Sequence, residues 1–199
     1  QEYDFTYNNK GNLTRSEISA RKPASVLETG KKYVIVNAYS GLAIDSHWKG
    51  NVGDVTTTYR FTPESTFQQW KLDLTGDGAN IYSFQASSFN DRYLDVSDAL
   101  ETAGTRLQIC FSNGSKAQKF MPVRQSDNTF VIYTGATNYT KVLDGQYDNP
   151  TEVIQSQAVK QAVCNSACPK ASQRWYFYPV EEQTSEKIVT TSEYTQSGN

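Results

Sequence analysis

Three aspartates carry the most chemistry in this chain of 199 residues: Asp45, Asp95 and Asp144, in the pairs Ile44-Asp45, Leu94-Asp95 and Leu143-Asp144. They recur at intervals of 50 and 49 positions. A second set, Gln68-Gln69-Trp70, Gln118-Lys119-Phe120 and Gln173-Arg174-Trp175, recurs at intervals of 50 and 55. Two interleaved motifs with one period mean three copies of a unit of about 50 residues. A carboxylate accepts hydrogen bonds from hydroxyl groups, an amide adds donors, and an aromatic ring covers an apolar face. An Asp at a strand end also serves simply to cap the next turn, and the sequence leaves both roles open.

The copies differ in what accompanies the carboxylate. The third holds Asp144, Tyr147 and, after Ile154, Gln155: a carboxylate, a ring and an amide, and so the leading site. The second holds Asp95 and Gln108 but has Asp98 where the third has its ring. The first holds Asp45, His47 and Trp48, with Thr56 in place of the amide. Trp48 stands among Ser46, Lys49 and Gly50 and reads as exposed.

Catalysis is not expected. His47 is the single histidine, and its neighbour Ser46 would diverge from it on a strand. The three aspartates belong to separate copies and would not flank one glycosidic bond. Asp73, Asp77 and Gly78 lack the other ligands of a calcium loop, and no glycine-rich phosphate cradle is present. No metal and no cofactor are expected. A net charge of −2, with no basic run beyond Lys31-Lys32, argues against nucleic acid and anionic membranes as partners. No apolar stretch approaches the length of a membrane span.

Cys164 and Cys168 are spaced for a small disulfide loop, while Cys110, between Ile109 and Phe111, reads as a buried small hydrophobe. Glycosylation sequons stand at Asn12, Asn113 and Asn138. With a leading Gln1 that fits removal of a leader, they point to a secreted, extracellular protein.

Strand-like runs occur at Lys32–Asn37, Trp70–Leu74, Ile81–Gln85, Thr129–Tyr133 and Trp175–Val180, separated by turn residues such as Gly76-Asp77-Gly78 and Asn113-Gly114. No window carries a sustained helical stripe. Four strands fill each unit, so the chain is read as all-β. Three four-stranded pseudo-repeats have a compact solution in the β-trefoil, with a closed six-stranded barrel and a cap of hairpins. Residues 1–28 read as an N-terminal arm, 29–182 as the trefoil and 183–199 as a C-terminal tail.

The hydrophobic-Asp pair, the later Gln and the closing Gln-x-Trp resemble the ricin-type β-trefoil lectins over roughly residues 29–182. The resemblance implies that Asp45, Asp95 and Asp144 accept hydrogen bonds from vicinal sugar hydroxyls, one solvent-facing carboxylate per lobe. Nearby amides and rings would complete each site, with galactose-type sugars as ligands. It also implies glycans or glycoproteins as partners. The rings of Trp70, Phe120 and Trp175 are expected to fill the core. Three departures stand against sugar binding at every copy. Cys110 and Gln157 follow the middle Gln where an aromatic is usual. Phe67, Ala117 and Ser172 precede the closing motif where Asn is common. The cysteine that usually precedes the Leu-Asp pair is missing. These departures keep a second reading open: a trefoil that binds protein, either accompanying a larger secreted enzyme or toxin or inhibiting a protease through its loops.

Overall fold

The computed structural model describes residues 22–62, 64–148, 152–164 and 170–180, together with the backbone of two short strands near the N-terminus. Those two, β1 (Phe5–Tyr7) and β2 (Leu13–Arg15), form an antiparallel pair within the expected arm. The expected tail, 183–199, lies outside the described residues, as do Asn12 and Cys168.

Thirteen strands make the trefoil. The first repeat contributes β3 (Lys32–Asn37), β4 (Leu42–Asp45), β5 (Thr57–Arg60) and β6 (Gln69–Leu74). The second contributes β7 (Tyr82–Ala86), β8 (Arg92–Val96), β9 (Leu107–Phe111) and β10 (Phe120–Arg124). The third contributes β11 (Phe130–Thr134), β12 (Lys141–Asp144), the short β13 (Gln157–Ala158), β14 (Lys160–Val163) and β15 (Trp175–Pro179).

Antiparallel pairing runs β3 to β6, β7, β10, β11, β15 and back to β3, which closes a six-stranded barrel without an open edge. The remaining strands form the hairpins β4–β5, β8–β9 and β12–β14. A ring of backbone bonds ties the three hairpins around the pseudo-threefold axis. Thr56 N–H donates to Leu107 O (3.0 Å), Leu107 N–H to Val159 O (2.8 Å), and Val159 N–H to Thr56 O (2.9 Å). That ring fixes which residues correspond among the lobes.

The core fills the barrel and the space beneath the cap. Trp70, Phe120 and Trp175 are fully buried, as their motif implied. Phe177 sits at the centre, edge-on to Tyr33, Phe84 and Phe130. Contacts to the barrel begin before residue 29. Ala24 N–H donates to Phe177 O at 2.7 Å, Leu27 packs on the core, and Tyr82 Oη donates to Leu27 O at 3.1 Å. No helix among the described residues is long and apolar enough to cross a membrane.

Candidate functional site

Each lobe is built on the same internal clamp. A one-turn 3-10 helix (Thr66–Gln68, Lys116–Gln118, Ala171–Gln173) delivers the closing glutamine to the base of the hairpin. Gln68 Nε2 donates to Arg60 O (2.8 Å) and to Asp45 Oδ2 (3.2 Å), while its Oε1 accepts from Thr62 N–H (2.8 Å). Gln118 repeats this with Phe111 O (2.7 Å) and Asn113 N–H (3.0 Å). Gln173 Nε2 reaches Asp144 Oδ2 (3.1 Å) and Val163 O (3.4 Å). The tryptophan two places on donates from Nε1 to the carbonyl just before the aspartate, Trp70 to Ile44 (3.1 Å) and Trp175 to Leu143 (3.3 Å). Phe120 has no such donor, so the second lobe lacks this tether.

The carboxylates are therefore held, and two of them are not presented openly. Asp95 and Asp144 are only 4 % and 5 % exposed, which corrects the expectation of one solvent-facing carboxylate per lobe. Each is engaged by the closing glutamine of its own lobe. Burial pushes Asp45 above the usual carboxylate range, against the donors His47 N–H and Gln68, which favour its ionised form. Burial likewise raises Asp95, with Gln108 and Gln118 opposing and the Asp98 charge reinforcing. A carboxylate holds about four lone-pair positions, so these bonds leave acceptor capacity for a ligand.

Register decides what faces each carboxylate. Thr57 pairs with Asp45, Gln108 with Asp95, and Lys160 with Asp144. Gln108 does reach its aspartate, donating from Nε2 to Asp95 Oδ1 at 3.1 Å. Thr56 is fully buried one position before Thr57. Gln155 is half-buried in a turn before Ser156, and Lys160 takes the place opposite Asp144. A fixed offset from the aspartate misses Lys160 because the third hairpin has the longest loop.

Two rings lie at the surface beside the aspartates of their lobes. In the first lobe Trp48 is 67 % exposed, with the Lys49 ammonium 5.3 Å from its centroid. The His47 backbone (φ +66°) turns there and donates to Asp45 Oδ1 at 2.8 Å. In the third lobe Tyr147 is 39 % exposed, and Gln146 N–H donates to Asp144 Oδ1 at 2.9 Å. Lys160 Nζ lies 5.5 Å from the Tyr147 ring centroid and 2.6 Å from Asp148 Oδ1. The preceding lobe supplies a wall: a Cβ on Gly104 would stand 3.1 Å from Tyr147 Oη. The second lobe has Asp98 at the ring position.

A family model described as ricin-type beta-trefoil lectin domain-like matches residues 25–110 and 68–156, two overlapping stretches that together span most of the trefoil. The chain belongs to the ricin-type β-trefoil lectin-like family. No curated protein sequence matches it. The designed three-fold symmetric protein ThreeFoil is similar in structure, with a TM-score of 0.62 and 21 % identity over 74 % of this chain and 97 % of its own. The ricin B-like lectin of Macrolepiota procera, solved in complex with lactose, gives 0.60 and 21 % over 76 % and 97 %. A mosquitocidal holotoxin gives 0.64 and 15 %, with 79 % of this chain covering 18 % of that one. The family match stops at 156, yet the clamp continues through Gln173 and Trp175, so the lectin-like geometry extends over the whole third lobe.

Half-buried Cys110 has its thiol pushed up, mainly by burial. The Cys164–Cys168 pairing lies outside the described residues. Asn113 and Asn138 are exposed, and Asn138 Oδ1 accepts from Lys116 Nζ at 2.7 Å.

Proposed function

We propose that this chain is a secreted, non-catalytic carbohydrate-binding protein whose principal site is the third lobe. One observation carries the reading. Among the three register-matched sets, only Asp144, Tyr147 and Lys160 combine a fixed carboxylate, a half-exposed ring and a nitrogen donor. In this arrangement Asp144 accepts from vicinal hydroxyls, Tyr147 covers the apolar face of the sugar, and the Lys160 ammonium donates to a neighbouring oxygen. The first lobe, with Asp45, Trp48 and Thr57, forms a weaker subsite. The second, with Asp95 and Gln108 but no ring at its matching position, is weaker still. Shallow sites of this kind gain avidity when several engage one glycan surface. The lactose bound by the Macrolepiota procera lectin supports a galactoside as the first ligand to try. Exposed Asn113 and Asn138 support an extracellular glycoprotein.

A glycan array followed by calorimetry tests this. Asp144→Ala and Tyr147→Ala each lower affinity by about tenfold or more, whereas Gln155→Ala leaves it unchanged. Binding that survives both substitutions sinks the third-lobe assignment, and silence across the array sinks the lectin reading.

A second reading, a trefoil subunit accompanying a larger protein, is favoured by the barrel end opposite the cap. A cleft of about 290 Å³ opens there among Val26, Leu27, Tyr82, Met121, Val123 and Phe130. Val26 and Val123 stand exposed beside it. A fixed partner that co-purifies and is lost with Val26→Asp would support that role.

A further inference from the structure

The threefold repeat supplies its own control for the pair of residues flanking each lobe. Across the junctions between hairpins, Val55 stands directly opposite Gln108, Ala158 opposite Thr57, and Arg106 opposite Lys160. Two junctions are neutral, so this backbone does not require charge at the position. The junction at the third lobe holds two cations. Residues directly opposed in an antiparallel pair have Cβ atoms about 4.5–5.5 Å apart, and like charges there are destabilising.

The carboxylates at this junction serve Lys160, which pairs with Asp148 and stands opposite Asp144, and not Arg106. Lys160 Nζ is bonded to Asp148 Oδ1 at 2.6 Å. Asp144 is buried beneath and engaged with Gln146 N–H and Gln173. Arg106 is exposed and makes no ion pair among the described residues. The whole chain carries a net charge of −2, so this pair of cations is local and not a share of a general basic surface. Arg106 also lies two positions beyond Gly104, the residue that abuts Tyr147 Oη, so the segment leading into β9 passes beside the exposed ring.

We propose that the third-lobe site takes an acidic sugar, with Arg106 and Lys160 holding its carboxylate or sulfate while Tyr147 covers the sugar face. The inference rests on the lectin reading and deepens it. A guanidinium presents a planar fork of donors that matches either anion, and its hydrogen bonds to charged acceptors are the stronger kind. The ligand's anionic group gives Arg106 the counter-charge that it lacks among the described residues.

Calorimetry on the intact chain tests this with four probes: a neutral galactoside, its sialylated form, a uronate-containing oligosaccharide and its sulfated form. An acidic probe binds about tenfold or more tighter than the neutral one at low salt, and the difference shrinks as sodium chloride rises. Comparison of the carboxylate and sulfate arms identifies which anion the site takes. Arg106→Val, which installs the residue of the matching Val55 junction, brings the acidic probe down to the neutral one's affinity. Arg106→Lys restores part of the preference. Lys160→Gln, which installs the side chain that Gln108 provides in the second lobe, lowers the preference independently. Thermal melting confirms that each variant is folded. Equal affinity for neutral and acidic probes, or a preference that persists in Arg106→Val, overturns the inference while the lectin reading stands. Failure of every probe to bind overturns both.

Discussion

Gln173 donates from Nε2 to Asp144 Oδ2 at 3.1 Å, across 29 positions of sequence, so the last motif of the repeat holds the first. Gln68 and Asp45 repeat the relationship at 3.2 Å. The glutamines and aspartates recur together because each pair is one device: an amide that closes the hairpin base and orients the carboxylate above it.

Removal of that amide is costly. A buried polar group left without its partner costs about 1–3 kcal/mol, and more when it is charged. Gln173→Ala strips a donor from Asp144 and from Val163 O and should lower stability by about 2–3 kcal/mol, read from urea denaturation midpoints at constant slope. Third-lobe sugar binding should fall with it. A loss under about 0.5 kcal/mol, at the level of an ordinary surface substitution, would show that the clamp is not what holds Asp144.

Ser156 stands where the other lobes have glycine. Gly53 (φ +87°), Gly104 (φ +88°) and Ser156 (φ +64°) each donate their N–H to the neighbouring hairpin, to Ile109, Gln161 and Thr58 respectively. A side chain in the left-handed region costs roughly 1 kcal/mol that glycine avoids. Ser156→Gly should therefore stabilise the chain by about 0.5–1 kcal/mol, seen as a raised melting temperature. An unchanged or lowered one would mean that the serine side chain contributes something glycine cannot.

Much of the barrel was legible in the sequence. Five of its six strands match the runs at Lys32–Asn37, Trp70–Leu74, Ile81–Gln85, Thr129–Tyr133 and Trp175–Val180 to within a residue. The sixth, Phe120–Arg124, is hidden by Pro122, which has no ladder N–H and reads as a breaker, although it pairs with Ile132. The cap strands are short and mixed in polarity, so alternation does not reveal them. The exposure of Trp48 was legible from the polar residues around it. Lys160 was not, because the partner opposite the aspartate lies at 57, 108 and 160 in the three lobes, and unequal loops defeat a fixed spacing. Burial of Asp95 and Asp144 was not legible either, since it depends on chain brought in from distant positions, as Gln173 is brought to Asp144.

Two of the repeat aspartates set a pH dependence of definite sign. Asp45 and Asp95 are raised above 3.8 chiefly by burial, so the folded chain holds these protons more tightly than the unfolded one. Their contribution to stability is fully present below 3.8 and is lost as pH rises through the raised values. Asp127 runs the other way. Burial raises it, but the Thr129 hydroxyl and N–H and the Arg174 guanidinium outweigh that and hold it low. Its contribution is present above 3.8 and is lost as pH falls through the depressed value. Asp95→Asn should flatten the decline of stability with pH just above 3.8, followed by denaturant titration at a series of pH values. A slope that matches the parent chain would show that Asp95 does not supply it.

Gly104 and Gly53 separate backbone strain from ligand geometry. Both occupy the left-handed region, at φ +88° and φ +87°, so an alanine at either should cost about 1 kcal/mol through the backbone alone. Their surroundings differ. A Cβ at Gly53 meets only Gln108 Oε1, at 3.9 Å, whereas one at Gly104 meets Tyr147 Oη at 3.1 Å and Cε1 at 3.3 Å. The Tyr147 ring is half-exposed and can swing away, so the crowding should displace the ring instead of adding a large stability loss. Gly53→Ala and Gly104→Ala should thus melt at similar temperatures. Only Gly104→Ala should weaken sugar binding in the third lobe, by roughly the tenfold expected for a misplaced stacking ring. Equal binding in the two variants would mean that the second lobe does not shape the third-lobe site.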